Sequence, residues 1–293
     1  MPRKDGNYAA ANNEGILRAL KDGCFYFVIA NMDTYFHTDW LGELVGAMEN
    51  NKDAGMIQSK ILLYPRDKAG WDNSKINTIG NITHYLGFGF TDGYKSLDRK
   101  INGFPEINYA SGCSFITSSE VLQKIGLYDE EYYMYHDDTE MGLRAKLAGY
   151  KILLAPKSIV YHKYEFNRSV KMIHYMERNR ILLIFHYYRW RTIFLILPAL
   201  LAMEVLMAVY SVREGMFKKK IAIYLYFLNP LNWVKIYFKR RRVGRLKLRT
   251  DKDVITKFEG KIMFQEVDNP ALKYIVNPIF NFYWQVVKRL VIW

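Results

Sequence analysis

"YMYHDDTEMGLRAKLAGYKILLAP" (residues 133–156) sets an acidic cluster, a helical period and a β-prone run end to end. Asp138, Met141, Ala145 and Ala148 recur at helical spacing, so they form one inward stripe headed by Asp138. Gly149 ends the helix, and "KILLAP" continues as strand. The same alternation extends on both sides. "CFYFVIA" (24–30) is a continuous apolar run of the kind found in a buried parallel strand. "NNEGILRALKDG" reads as a helix with Asn12 or Asn13 near its cap, and "TDWLGELVGAMENN" (38–51) as a second helix. "AGMIQSKILLY" (54–64) and "GCSFITS" (112–118) read as strands, "SEVLQKIG" (119–126) as helix, and "SIVYHK" as a last strand after "KILLAP". The stretch from Pro65 to Pro105, rich in Gly, Asn and Asp, reads as loops and short hairpins. Strand–helix alternation of this kind predicts an α/β layer fold with a largely parallel sheet.

The 293 residues are 50% hydrophobic and 24% charged, which suffices for a sizeable core with an appendage and excludes a disordered chain. The formal net charge of +13 is unevenly placed. Acid lies mostly before residue 150, whereas base gathers in "FKKK" (217–220), "KRRRVGRLKLR" (239–249) and "VKRL" (287–290). A basic half suits nucleic acid or an anionic membrane, and the long apolar runs between the cations favour membrane over nucleic acid. From about Asn167 the pattern becomes helical: "VKMIHYMERNRILLIFHYYRW" (170–190) leads into "IFLILPALLAMEVLMAVYSV" (193–212). The latter has the length to cross a bilayer, with Glu204 as its single charge and Pro198 as a break. A single crossing from a cytoplasmic catalytic half would strand the basic runs outside, against the tendency of Lys and Arg to stay inside. A re-entrant or in-plane helix, or a hairpin using "IAIYLYFLNPLNWVKIYF" (221–238, broken at Asn229-Pro230), fits better, and a buried helix of a soluble domain is the alternative. The expected division is an α/β domain over 1–166 and a helical, membrane-associated region over 167–293, at the cytoplasmic face. Cys24 and Cys113 supply no disulfide framework or zinc spacing, which points to a reducing compartment, and "MPRKDGNYAAANNEG" has no apolar signal-peptide core.

Four groups of residues are candidates for chemistry. Asp33, in "FVIANMDTYF", follows the end of a predicted strand, the edge at which α/β sheets bind ligands. It is suited to Mg²⁺ or Mn²⁺ bridging to a diphosphate, or is simply a turn Asp. Asp137, Asp138 and Glu140 stand at a helix start, where a carboxylate stays ionised and serves as a base, or only caps the helix. Glu140 and Arg144 are spaced for a surface i,i+4 pair. His136-Asp137 also has the form of a metal phosphohydrolase pair, but that site needs further spaced ligands and the chain has six histidines. His162 ends the last strand, as a metal or phosphate contact or a structural residue. In "NYASGCSFI", Gly112 between Ser111 and Cys113 would let backbone approach a ligand, or marks a tight turn.

The order of these segments resembles family 2 glycosyltransferases of the GT-A fold, especially the rhamnosyltransferase-like branch. "NMDT", "SGCSFI" and "IGLYDEEYYMYHDDTEMGLRAKLAGYKILLAPKSIVYHK" stand where the family has "NPDT", "SGA-hydrophobic" and "GxFDExFFxYxEDxDLxxRxxxxGYK" with a later "xxxH". "NYAAANNEGI" is similar to the family's "GFAxxxNxGI", so the likeness covers roughly residues 5 to 165. It implies a Rossmann-like, mostly parallel catalytic domain and an inverting, metal-assisted hexosyl transfer from a nucleotide-sugar to a hydroxyl of a lipid-linked or cell-surface glycan. Asp138 matches the general base, with Asp137 where Glu is usual and Glu140 in place of the second Asp. Asp33 matches the last carboxylate of the metal motif and His162 the late metal- or diphosphate-contacting His. Asn31, Asn13, Ser111 and Gly112 fall at positions that contact the donor, and Met32 replaces the usual Pro. The family's opening strands, which hold the nucleotide, have no counterpart in residues 1 to 5. The expectation is an N-terminally incomplete domain with a sheet edge that something must cover, an N-terminal fragment or other subunit being one such partner. Two rival readings are a non-catalytic, membrane-associated glycosyltransferase remnant or half of a split enzyme, and a nucleic-acid binder using the basic tail.

Overall fold

The computed structural model describes residues 7–65, 67, 73–164, 173–263 and 270–293. It divides into two units: one comprises residues 1–83 and 89–167, the other residues 84–88 and 168–293. The first unit is mixed α/β and the second mostly helical.

The first unit begins with α1 (Tyr8–Lys21), which starts earlier than the sequence suggests. Asn7, not Asn12 or Asn13, caps it by accepting from the Ala10 N–H at 3.0 Å. There follow β1 (Tyr26–Ala30), β2 (Thr34–Phe36), α2 (Trp40–Asn50), β3 (Ala54–Leu63), β4 (Ile76–Thr78), β5 (Asn81–Thr83) and β6 (Gly89–Thr91). β7 (Ser114–Ser118), α3 (Ser119–Ile125), α4 (Asp137–Leu147) and β8 (Lys151–His162) complete it. The main sheet runs β1-β7-β3-β8-β2, with β4 added to β3, while β5 and β6 form a separate hairpin.

The expected parallel sheet is not what forms. Among the described residues only β3 and β8 pair in parallel; β1 with β7, β7 with β3, β3 with β4 and β2 with β8 are antiparallel. The reason lies in what a continuous apolar run reports, which is cover on both faces and not strand direction. Phe27, Ile29, Met56, Phe115 and Ile152 pack on one face with α1, α3 and α4. Ile57, Ile116 and Leu153 pack on the other with Leu44, Ala47 and Met48 of α2. Both faces are therefore apolar although neighbouring strands oppose.

"KILLAP" and "SIVYHK" are likewise one strand. β8 pairs with β3 from Lys151 to His162, but Ser59 lies opposite Ala155 and Lys60 opposite Ile159. Residues 156–158 thus bulge out of the ladder at Pro156, which has no N–H to donate. Buried Ser158 fastens the bulge through hydrogen bonds to Ser59 at 2.9 Å and to the Trp40 carbonyl at 2.9 Å.

The second unit holds α5 (Ile173–Tyr187), α6 (Trp190–Arg213), α7 (Phe217–Leu228), α8 (Pro230–Leu246), the single turn α9 (Asp251–Val254) and α10 (Asn277–Leu290). Pro198 sits inside α6 without ending it. The predicted break at Asn229-Pro230 forms as expected, with the Asn229 side chain accepting from the Leu231 N–H at 3.0 Å to start α8. Residues 170–172 of the long aromatic helix expected from the sequence lie outside the described residues, as does residue 5 at the start of the motif match.

α6 is long and apolar enough to cross a membrane by length and composition. Glu204, its single internal acid, is paired twice: it accepts from Arg180 of α5 and from Lys220 of α7 at 2.7 Å. Glu177 of α5 closes the cluster, meeting Arg180 at 3.1 Å and Lys220 at 3.1 Å. Two acids and two bases share one buried site, and an Arg180 N–H also donates to the Leu86 carbonyl at 3.1 Å. Gly87 lies against this arginine with φ of +84°, and a Cβ there would stand 2.7 Å from the Arg180 carbonyl oxygen. Only glycine fits both the dihedral and the space.

Candidate active site

The site forms around the turn 111–113. Its Ser111 N–H donates to the buried Gln58 side chain of β3 at 2.8 Å, which fixes the turn to the sheet. On one side of it the Asn31 N–H, just past β1, donates to the Cys113 carbonyl at 3.1 Å. On the other side the Gly112 N–H donates to Asp138 Oδ2, at the start of α4, at 3.4 Å. One turn therefore links the segment of Asn31 and Asp33 to the acidic helix start.

Asp33 is placed by a tight turn between β1 and β2. Because Thr34 pairs with His162 across the β2–β8 ladder, Asp33 meets the histidine, and its Oδ1 lies 3.3 Å from His162 Nε2. The other ring nitrogen, Nδ1, lies 3.0 Å from Asn77 Oδ1, which holds the ring. Burial keeps the His162 pKa below its ordinary value, with Asp33 opposing in part. The imidazole is then neutral at pH 7, the form that ligates metal. A carboxylate oxygen beside a neutral imidazole nitrogen, oriented by a further side chain, is a donor set that fits a divalent cation. Among the described residues no third His, Cys, Asp or Glu joins them. Mg²⁺ sites commonly use one or two protein ligands and take the rest from phosphates and water.

Asp137 and Asp138 differ from the sequence expectation in charge state. A helix start by itself holds a carboxylate ionised at an ordinary pKa. Burial outweighs it here and raises both carboxyls, Asp137 to about 8 with the Asp138 charge as a second cause. Asp138 has the better anion partners, accepting from the N–H groups of Gly112 and, at 2.7 Å, Thr139. Of the two, Asp138 is therefore the better placed to carry a shared negative charge, and Asp137 the better placed to keep a proton. This yields a stability test. A carboxyl whose pKa is raised in the folded protein favours the fold below the ordinary carboxylate range, and that contribution is lost as pH rises toward about 8 for Asp137. Asp137→Asn should remove the loss, since Asn stays neutral. At pH 9 the variant should be the more stable by at least about 2 kcal/mol, a discounted reading of about 1.4 kcal/mol per pKa unit. Urea unfolding at pH 5 and pH 9 measures this, and parallel responses of the two proteins would refute it.

Three further residues have partners within the protein. The Asn13 amide donates to the Tyr128 carbonyl at 2.9 Å and Glu130 Oε1 at 3.1 Å and accepts from the Tyr128 N–H at 2.9 Å, so it fastens α1 to that loop. Gly112 makes room for Tyr8, since a Cβ there would stand 2.7 Å from the Tyr8 hydroxyl. Glu140 and Arg144 are not at the surface. They form a buried pair at 2.8 Å, and Arg144 also donates to the Ile125 carbonyl at 2.7 Å.

Two residues at the site have no assigned part in the sequence reading. Tyr8 donates to the Gly112 carbonyl at 3.2 Å and lies 3.5 Å from Asn31 Oδ1, bridging the two halves of the site. Its segment, "NYAAANNEGI", is the available signal. Asn77 lies in the Pro65–Pro105 stretch, where no period marks it.

The approach to α4 is bent sharply. Tyr133, Tyr135 and His136 have φ of 60°, 63° and 61°, the left-handed region that glycine adopts freely and these residues do not.

No protein-family model and no curated protein sequence matches the chain. Among solved structures it is similar to the crystal structure of GalNAc-T7 with UDP, GalNAc and Mn²⁺, at 14% identity and a TM-score of 0.44. The match covers 61% of this chain and 34% of that one, so the chain spans about a third of that protein's length.

Proposed function

We propose that the first unit is the catalytic part of an inverting glycosyltransferase of the family 2, rhamnosyltransferase-like type and GT-A fold, acting on a nucleotide-sugar. The acceptor would be a hydroxyl of a lipid-linked or cell-surface glycan, and the second unit would hold the chain at the cytoplasmic face of a membrane. The observation that carries the reading is the 111–113 turn, whose Gly112 and Cys113 hydrogen-bond to Asp138 on one side and to the segment of Asn31 on the other. Sugar transfer needs a charge-neutralising site for the leaving diphosphate and a base for the acceptor hydroxyl.

Asp33 and His162 would hold Mg²⁺ or Mn²⁺, which supplies positive charge to the leaving diphosphate. Asp138 takes the proton from the acceptor hydroxyl, and Asp137, protonated, keeps a second negative charge away from it. Asn31 and Ser111 contact the donor. Asn77 keeps the His162 ring oriented.

Calorimetry with UDP and with dTDP, in Mn²⁺ and in EDTA, tests the donor site. Binding is expected only with metal, and Asp33→Ala should weaken it at least about tenfold, the loss of one charge-assisted contact. Equal binding in EDTA, or an unaffected variant, would rule the site out.

A further inference from the structure

In the second unit, α8 is mostly apolar in its first half, where Lys235 is the one cation, and mostly cationic in its second. Over Pro230–Leu246 it carries Lys235, Lys239, Arg240, Arg241, Arg242 and Arg245 and no acid. Its first half exposes Leu231, Val234, Tyr237 and Phe238 to solvent, each at least half exposed. Exposed cations dominate its second half. A helix lying flat on a membrane separates apolar from charged residues around its axis. Separation along the axis suits a helix whose first half enters the apolar layer while its basic end stops at the phosphates.

At the junction of those halves is a cleft of about 510 Å³ lined by Trp190, Trp233, Ile236, Tyr237, Arg240 and Arg241. Its walls are fixed. The Trp233 indole N–H donates to the Phe227 carbonyl at 2.6 Å, and its ring meets Phe185 edge-on at 4.9 Å. The Arg240 guanidinium lies 4.3 Å from the Trp190 ring centre, and it donates to the carbonyls of Phe185 and, at 2.9 Å, Tyr188. Carbonyl partners orient a guanidinium without cancelling its charge. The cleft therefore has a positioned cation, a second exposed arginine, three aromatic walls and an apolar helix end alongside.

We infer that this cleft binds one anionic membrane lipid, its headgroup phosphate at Arg240 and Arg241 and the first carbons of its chain along Trp233, Ile236 and Tyr237. Free phosphate would leave the aromatic walls unused. An acidic peptide or nucleic acid would leave Val234 and Phe238 in water. The inference rests on the membrane-surface part of the proposed function and is independent of sugar transfer.

The full-length chain is titrated with a short-chain phosphatidylglycerol below its micelle concentration, with the matching phosphatidylcholine, and with inorganic phosphate. The expected order is phosphatidylglycerol far ahead of the other two. Tyr237 and Arg241 are exposed, so Tyr237→Ala/Arg241→Ala should fold normally, checked by circular dichroism. It should weaken phosphatidylglycerol binding at least about tenfold, a loss of about 1.4 kcal/mol. The same variant should bind UDP with Mn²⁺ as the native chain does, and Asp33→Ala should bind the lipid as the native chain does. Inorganic phosphate binding as well as the lipid would overturn the inference in favour of a bare anion site. Phosphatidylcholine binding equally, or an unchanged double variant, would overturn it outright. Lipid binding without UDP binding would leave it standing and remove only the sugar-transfer reading.

Discussion

On the proposed function, Asp138→Asn should lower glycosyl transfer by about 10²- to 10⁴-fold, the usual contribution of a positioned general base. Nucleotide binding should change little, because Asp33 and His162 are untouched. The variant should fold: the oxygen of the substituted amide still accepts from the Thr139 N–H, and removal of the buried negative charge offsets loss of the longer bond from the Gly112 N–H. On the proposed function, transfer by the native chain should also depend on pH. The base works only when ionised, and burial raises its pKa. Activity should therefore fall on the acid side at a pH above the ordinary carboxylate range. In Asp138→Asn the Asp137 pKa, relieved of its charged neighbour, should drop toward that range. Carboxyl titrations followed by NMR on the two proteins would report this. A variant retaining more than a tenth of native transfer would show that the proton leaves by another route.

Glu204→Gln should destabilise the second unit by about 3–5 kcal/mol, the cost of breaking a buried ion pair from one side. The native cluster is neutral, with Glu177 and Glu204 facing Arg180 and Lys220. The substitution leaves one uncompensated positive charge shared by Arg180 and Lys220, whose side chains are buried. Glu214→Gln, at the exposed end of the same helix, removes an equal charge and should stay within about 0.5 kcal/mol of native. Urea unfolding of the three proteins makes the comparison. Equal effects at 204 and 214 would mean that the cluster is hydrated and contributes little.

The elements of the first unit are legible because each has its own period or cap. The stripe Met141, Ala145, Ala148 is buried as the spacing requires. Direction is not legible: nothing in "CFYFVIA" distinguishes a strand that opposes its neighbour from one that follows it. Nor is the bulge at Pro156, which looks like a break until Ser158 is seen fastened to Ser59 and Trp40. Among site residues, Asp33 and His162 stand out separately in the sequence, and only the β2–β8 register shows them in contact. The loop contacts of Asn13 are not legible, because an amide required by a loop and one required by a ligand leave the same letter in the sequence. The raised pKa values of Asp137 and Asp138 come first from burial, which no local pattern reports, and their neighbour Tyr8 is remote in sequence from both.

Tyr133, Tyr135 and His136 hold a left-handed backbone directly ahead of the acidic pair. Each gives up about 1–2 kcal/mol that glycine would not. A selection for heat resistance alone would accumulate glycine at those three positions. Each such change would also loosen the segment that leads into Asp137 and Asp138. Lineages evolved under heat and lineages evolved for turnover should therefore part ways at these positions first.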